Sequence, residues 1–527
     1  MDNNITPSPP TVTSSNVLDI VRRLREDAAR RELLLEQVLA FLQQSELSQQ
    51  DPMCEASSPI SAWSPTWESG GVIELSRLTP KVRQIKKPQG KSHDIVTRLK
   101  SSGLGKFYAS HLKQYPLVRW LAIWIWRIAY PLYVNHISIY LCNRNVKRWR
   151  QLIKLGEYVK TRGIPTIKVA DAALVETPVP KVFPAHDQEY LASPHDSYNF
   201  PQIYVATVSD GMIYGGTNLV LTKDEVICHD LYDFERDYTS EELWGRTLID
   251  PRKGRIRWLL HDEAPERLPA AAAFVDACAP NYAHWLTEVL PRIAAFCASE
   301  QFKGIPIVVD DGLHQNIMES LLLVAGADRE IITLSTGRAL AVGELYLTSV
   351  AGYVPFERRT NKLSGHSHGV FSPRAFELIR NQITSFAEKL PEHAWPEKIY
   401  LRRNSGARKV TNAEELEELL VAQGYVIVEP EKLTFLQQTQ LFSHAKVIVG
   451  SSGAALANIL FAPPNVKAFI LISKYPDTSY WYWQNIACAS SKTVCYVFGE
   501  VTGGVSGIHA DFTVDLEGVL QEFGEEL

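Results

Sequence analysis

Beyond Phe274 the chain alternates short apolar strands with amphipathic helices, and this alternation constrains its fold more than any other feature. IPIVVDDG reads as a strand, QNIMESLLLVAGA as a helix that Gly326 is placed to end, and EIITLST and LAVGELYLTSV as strands. A second series opens with a helix from Pro373 to Leu390. It continues as KIYLRR, NAEELEELLVAQG, YVIVEP, TFLQQTQLFSHA, KVIVGSSG, AALANILFAPP and VKAFILIS, strand and helix by turns. Strands joined through helices pair in parallel, so the expected class is α/β. Two such series, split near residues 355–372, predict two Rossmann-like lobes facing a cleft, with ligands bound outside the carboxyl ends of the strands. Upstream, from about Pro201, IYVATVSDG, MIYGGTNLVLT and EVICHDLYD read as short strands separated by turns.

The 527 residues, 45% of them hydrophobic, are enough for about three or four domain-sized units. Seven cysteines show neither a CxxC pair nor zinc-type spacing. Neither a disulfide framework nor a structural metal is expected, and the pattern fits a reducing compartment. The opening MDNNITPSPP has acid, Pro and Ser where a signal peptide needs a basic start and an apolar run, which predicts a cytoplasmic protein.

Residues 1–80 divide into a Pro/Ser/Thr-rich start, a helical pattern over 16–44 and a linker. Val17, Val21, Leu24, Ala28, Leu35, Val38 and Leu42 recur at three- and four-residue spacings if Arg31 is accepted in the seam. Two readings follow. One is a coiled coil that makes a homo-oligomer; the other is a single amphipathic helix packed on its own protein.

Residues 81–170 are distinguished by charge. Lys81 to Arg162 holds 18 Lys or Arg against two acids, Asp94 and Glu157, a charge of +16 in a chain whose net charge is −5. Within it YPLVRWLAIWIWRIAYPLYV, residues 115–134, sets Trp120, Trp124 and Trp126 among aliphatic residues, with Arg119 and Arg127 embedded and Pro131 closing the run. Two buried arginines make a bilayer span costly, whereas a helix lying at headgroup depth suits them. The expected partner of residues 81–150 is therefore an anionic membrane surface; a helix buried in the fold is the other reading. No nucleic-acid module accompanies the basic stretch, so no nucleic acid is expected. The remainder divides into a lobe over 171–370 and a second over 371–527.

Several residues could carry chemistry. NYAHWLTEVLPR puts His284 and Glu288 four apart, hence on one helix face, where a carboxylate can orient an imidazole as a general base. The alternative is a surface His and Glu near a helix start. Beyond KIYL, the sequence LRRNSGAR clusters Arg402, Arg403 and Arg408, whose guanidinium forks suit phosphate or carboxylate. Glu429-Pro430-Glu431 follows YVIV, and an acid there can accept from a ribose or simply favour the next helix's dipole. VGSSGAALAN places Gly450, Ser451, Ser452, Gly453 and Ala454 between a strand and a helix, where small residues and open N–H groups admit a diphosphate. Asp310-Asp311 reads as a strand-ending turn, and His366 and His368 as polar loop residues, so no metal site is expected.

These motifs in order, NYAHWLTEVLPR and then RRNSGARKVTNAEELEELLVAQGYVIVEPEKLTFLQQTQLFSHAKVIVGSSGAALANILFAPP, resemble glycosyltransferase family 61, whose bacterial members are often capsular polysaccharide biosynthesis proteins. The resemblance covers roughly residues 200–515. It implies a GT-B architecture and an inverting transfer of a sugar from a nucleotide-sugar donor to a glycan or lipid-linked acceptor, with no cofactor and no required metal. Carried over by motif, it puts His284 and Glu288 in the catalytic cleft, with the 171–370 lobe on the acceptor side. Arg402, Arg408, Glu431, Ser452, Gly453, Ala454 and Asn458 are then placed around the donor. Family members commonly have Asp where this chain has Glu288, and His where it has Ser452. The resemblance and the basic stretch together predict an enzyme held peripherally at the inner face of the membrane. A nucleotide-sugar-binding scaffold subunit that has lost catalysis is the competing reading.

Overall fold

The computed structural model describes residues 81–86, 149–191, 196–233, 239–244, 246–260, 262, 264–326, 328–355, 369–387, 394–404, 408–474, 481–502 and 510–519. The helix expected over 16–44, the Trp-rich segment 115–134 with most of the basic stretch, and His366 and His368 lie outside them. Among the described residues no helix is long and apolar enough to cross a membrane.

The chain is α/β, built on two large sheets. One half of the first sheet is parallel and runs in space as Val82–Ile85, Ile331–Leu334, Ile307–Asp310, Glu266–Ala273, Ala339–Thr348. The chain steps outward from Glu266–Ala273 through Ile307–Asp310 to Ile331–Leu334, then returns on the other flank as Ala339–Thr348. The direction of winding therefore reverses beside Glu266–Ala273, and a crevice opens at the carboxyl ends of the two flanking strands. The other half begins with Ile203–Tyr214, antiparallel to Ala339–Thr348, and holds the shorter strands upstream.

A strand break was expected at Ser209-Asp210-Gly211. Instead Ile203–Tyr214 runs for 12 residues straight through it. Asp210 takes a left-handed φ of 51°, and Gly211 lies so close to Leu345 of the neighbouring strand that a Cβ would collide with it. Pairing along the whole length of Ala339–Thr348 prevails over the local turn signal.

The second sheet places Val426–Val428, Lys398–Leu401, Val447–Ser451, Lys467–Lys474 and Cys495–Val501 side by side, all parallel, with Phe512–Thr513 antiparallel at the end. Its winding reverses between Lys398–Leu401 and Val447–Ser451. Lys181–Phe183, from far upstream, also pairs with Cys495–Val501, so sheet membership departs from chain order at that strand.

Helices fill the space between the sheets. Trp285, Phe296, Phe376, Phe435, Ile459 and Trp481, drawn from both series, belong to one buried apolar cluster. Each such side chain contributes about 1.5–3 kcal/mol when fully removed from water. The helices themselves start where the sequence places caps: Thr434 and Gln437 form a reciprocal capping box before Phe435–His444, and Gly326 ends Gln315–Ala325 at φ 81°. AALANILF is a 3₁₀ helix, Ala454–Phe461, rather than the expected α-helix.

Candidate active site

Asn281 opens the helix that carries the His/Glu pair, its Oδ1 accepting from the backbone N–H of Ala283 at 3.0 Å and of His284 at 3.4 Å. Tyr282–His284 is α-helical, Trp285–Val289 widens into a π-helical turn, and Leu290–Cys297 is α-helical again. Pro291 supplies a reason: it has no N–H for the carbonyl of Thr287, its ordinary α-helical acceptor. That carbonyl faces Gly352, where a Cβ would collide with it, so only glycine permits the approach. The close contact brings the 352–354 segment against the helix, and Val354 N–H donates to Glu288 Oε2 at 3.2 Å.

His284 Nδ1 is hydrogen-bonded to Glu288 Oε1, and both side chains are largely buried. Burial by itself pushes the imidazole pKa down. The charge and hydrogen bond of Glu288 outweigh it, with Asp276 adding to them, and hold His284 above its ordinary value. With Nδ1 held, proton exchange with a bound molecule runs through Nε2.

The start of the helix bearing this pair packs on the 3₁₀ helix Ala454–Phe461, which follows the strand Val447–Ser451 of the second sheet. Tyr282 OH donates to Asn458 Oδ1 at 2.8 Å, and Asn458 Nδ2 donates to Gln438 Oε1 at 2.7 Å and to the Ala455 carbonyl at 3.1 Å. Asn458 is fully buried. Its amide thus fastens the His284 helix to the 3₁₀ helix after Gly453, rather than facing a donor as the sequence reading placed it.

Other expected donor residues gather where the second sheet reverses, some with altered tasks. Arg408, at φ 60°, donates through Nη1 to the Ser452 carbonyl at 3.1 Å and to its hydroxyl at 3.4 Å. That hydroxyl also accepts from Trp483 Nε1 at 3.0 Å. Arg403 lies over Gly453, whose Cβ would meet its guanidinium. The arginine loop and the Ser452–Ala454 turn are therefore one site, and Ser452 is a buried linker within it. Arg402 is not aimed as expected: Nε and Nη2 grip Glu417 at 2.8 and 2.5 Å, and Nη1 lies 3.6 Å from Glu429. Its fork braces the helix Ala413–Ala422 against the strand. Glu431 is exposed at the rim and accepts from Asn404 Nδ2 at 2.5 Å.

A recess lies at the carboxyl end of the first sheet, with Glu288 in its wall. Sequence reasoning missed its other polar residues. Asp276 accepts from Arg292 Nη2 at 3.1 Å and Asn218 Nδ2 at 3.0 Å, and Arg292 Nε donates to the Glu288 carbonyl at 3.1 Å. Asp276 lies three residues beyond the end of Glu266–Ala273, so the rule that ligands sit beyond strand carboxyl ends was the signal that could have found it.

Asp310 is buried and accepts from the N–H groups of Gly216 and Asp276, while Asp311 accepts from Ser335 Oγ, so both carboxylates tie off strand ends. Among the described residues no three His, Cys, Asp or Glu cluster as metal ligands. No curated protein matches the chain. The stretch that holds the His284–Glu288 pair, the Asn458 bridge and the Ser452–Ala454 turn, residues 282–469, matches the family model Glycosyltransferase 61.

Proposed function

We propose that this chain is an inverting, metal-independent glycosyltransferase that moves a sugar from a nucleotide-sugar donor to a glycan or lipid-linked acceptor in cell-surface polysaccharide synthesis. The match over 282–469 supports glycosyl transfer in general. The observation that carries the finer reading is the buried His284–Glu288 pair, fastened through Tyr282 and Asn458 to the turn where the second sheet reverses. In a GT-B-like arrangement that turn receives the donor. Arg403 and Arg408, with the N–H groups opening Ala454–Phe461, hold its diphosphate and neutralise it as it leaves. His284 takes the acceptor proton through Nε2 while the hydroxyl attacks the anomeric carbon from the opposite face, and Glu288 stabilises the imidazolium.

The raised pKa fixes the pH dependence. Because the folded value lies above the unfolded one near 6.5, the pair stabilises the fold fully below about pH 6.5, and that contribution is lost as pH rises through the folded value. Activity runs the other way, since the base must be neutral, and climbs with pH through the same value. Glu288→Gln removes what raises the imidazole and leaves the burial that lowers it, so the acidic limb of kcat should move to lower pH and kcat at the optimum should fall. An unmoved acidic limb in that variant rules out His284 as the titrating base. Thermal-shift screening of nucleotide sugars, followed by donor hydrolysis, tests the activity itself; tight donor binding without turnover on any acceptor makes the chain a scaffold instead.

The same reading seats the enzyme at the cytoplasmic face of a membrane through the +16 stretch. Flotation with anionic liposomes should be salt-sensitive and should disappear when residues 87–148 are removed, a deletion that leaves the strands Val82–Ile85 and Trp149–Lys154 of the first sheet in place. Unchanged flotation after that deletion refutes the attachment.

A further inference from the structure

His284, Glu288 and Arg292 follow one another at four-residue intervals, and their contacts continue beyond the helix. Glu288 Oε1 holds His284 Nδ1, Arg292 Nε donates to the Glu288 carbonyl at 3.1 Å, and Arg292 Nη2 donates to Asp276 Oδ2 at 3.1 Å. One guanidinium fork thus joins the main chain of Glu288 to a carboxylate on another element. The Arg292 side chain is 13% exposed and that of Asp276 12%, so salt and water screen the two charges little.

Asp276 is itself fixed from several sides. Its Oδ1 accepts from the Cys278 N–H at 2.9 Å, its Oδ2 also accepts from Asn218 Nδ2 at 3.0 Å, and its own N–H donates to Asp310 Oδ2 at 2.7 Å. Charge explains why the row needs both ends. A guanidinium beside the pair opposes the imidazolium that forms when His284 takes a proton, and a carboxylate on that guanidinium cancels the effect. Burial pushes His284 down, while Glu288 and then Asp276 push it up. The other ionisable groups nearby are Cys278, kept a thiol by burial, His229, kept neutral by burial, Glu241 and Arg246, which attract each other, and Tyr353 against the π-helical turn. Ala454–Phe461, packed on the helix start, has no ionisable side chain.

We propose that Arg292 and Asp276 are positioning residues for the base: Arg292 fixes the main chain of Glu288, and Asp276 anchors Arg292 and cancels its charge. The proposal rests on the reading of His284 as base, but the titration of His284 can be followed without turnover. NMR of the full chain with ring-labelled histidine does so, His284 being identified among the 14 histidines as the signal that His284→Ala lacks. Burial raises Asp310 to about 7, so the imidazole signal is read as well as the acidic limb of kcat.

Asp276→Asn removes an anion and leaves Arg292 unopposed, so His284 should titrate at lower pH. Arg292→Met leaves Asp276 unopposed, so His284 should titrate at higher pH. A role in folding alone does not produce shifts of opposite sign. Asp276→Asn combined with Arg292→Met leaves no unpaired charge and should titrate like the parent. It should nevertheless lose kcat by about 10-fold or more, with KM for the donor within about twofold, because the fork on Glu288 is gone. Arg292→Lys, a cation without the fork, should do the same. These two variants decide by kcat if a lone buried charge keeps a single variant from folding. The proposal is overturned by shifts of the same sign in the single variants, or by parental kcat in both the double variant and Arg292→Lys. An acidic limb that follows His284 in the parent, with His284 unmoved in both single variants, removes this proposal alone; a shifted His284 that kcat ignores removes the base assignment instead.

Discussion

His284→Ala should lower glycosyl transfer, and the slower hydrolysis of the donor by water, by about 10²–10⁴-fold, the usual contribution of a positioned general base. Donor affinity should stay within about twofold, because the donor contacts proposed above are at Arg403, Arg408 and the Ser452–Ala454 turn, on elements other than the His284 helix. The loss should appear in kcat and not in KM for the donor. Two structural facts make the effect large. His284 is held by Glu288 within a buried helix, and the charge and hydrogen bond of Glu288 keep its pKa above the ordinary imidazole value, so that it is a stronger base than a free histidine. Full turnover by His284→Ala would transfer the base role elsewhere; loss of donor binding together with turnover would mean that the helix had shifted.

Arg402→Ala should act on the fold rather than on the donor. Its side chain is 12% exposed and that of Glu417 is 3% exposed, and the two meet through a bidentate fork. Removing the guanidinium leaves a buried carboxylate uncompensated, which costs about 3–5 kcal/mol. Denaturant unfolding should show a clear fall in stability, and Arg402→Met with Glu417→Met should recover much of it, since an apolar pair of similar volume needs no counter-charge. Donor affinity of the double variant should then match the parent. If Arg402→Ala unfolds normally and loses donor binding, Arg402 contacts the nucleotide after all.

The contrast between these two residues shows where sequence reading works. His284 and Glu288 are four apart on one helix, so their meeting follows from helix geometry alone. The fate of Arg402 depends on Glu417, fifteen residues on and in another element, and a guanidinium suits a protein carboxylate as well as a phosphate. Asn458 teaches the same lesson, because its partners Tyr282 and Gln438 are contributed by two other helices.

By itself the sequence determined the α/β class, the two series of parallel strands, the His284–Glu288 pair and the two loops that meet at the second sheet's reversal. Those features are local: hydrophobic period, caps, glycines and fixed spacings set them. Tertiary structure alone decided that Ile203–Tyr214 runs through its turn signal, that Lys181–Phe183 joins the second sheet, and that Asn458 and Arg402 serve as braces. It alone brought Asn218, His229, Asp276 and Thr348 around one recess. Each of these outcomes turns on which distant group satisfies a buried polar atom or an open strand edge, and no pattern along the chain encodes that choice.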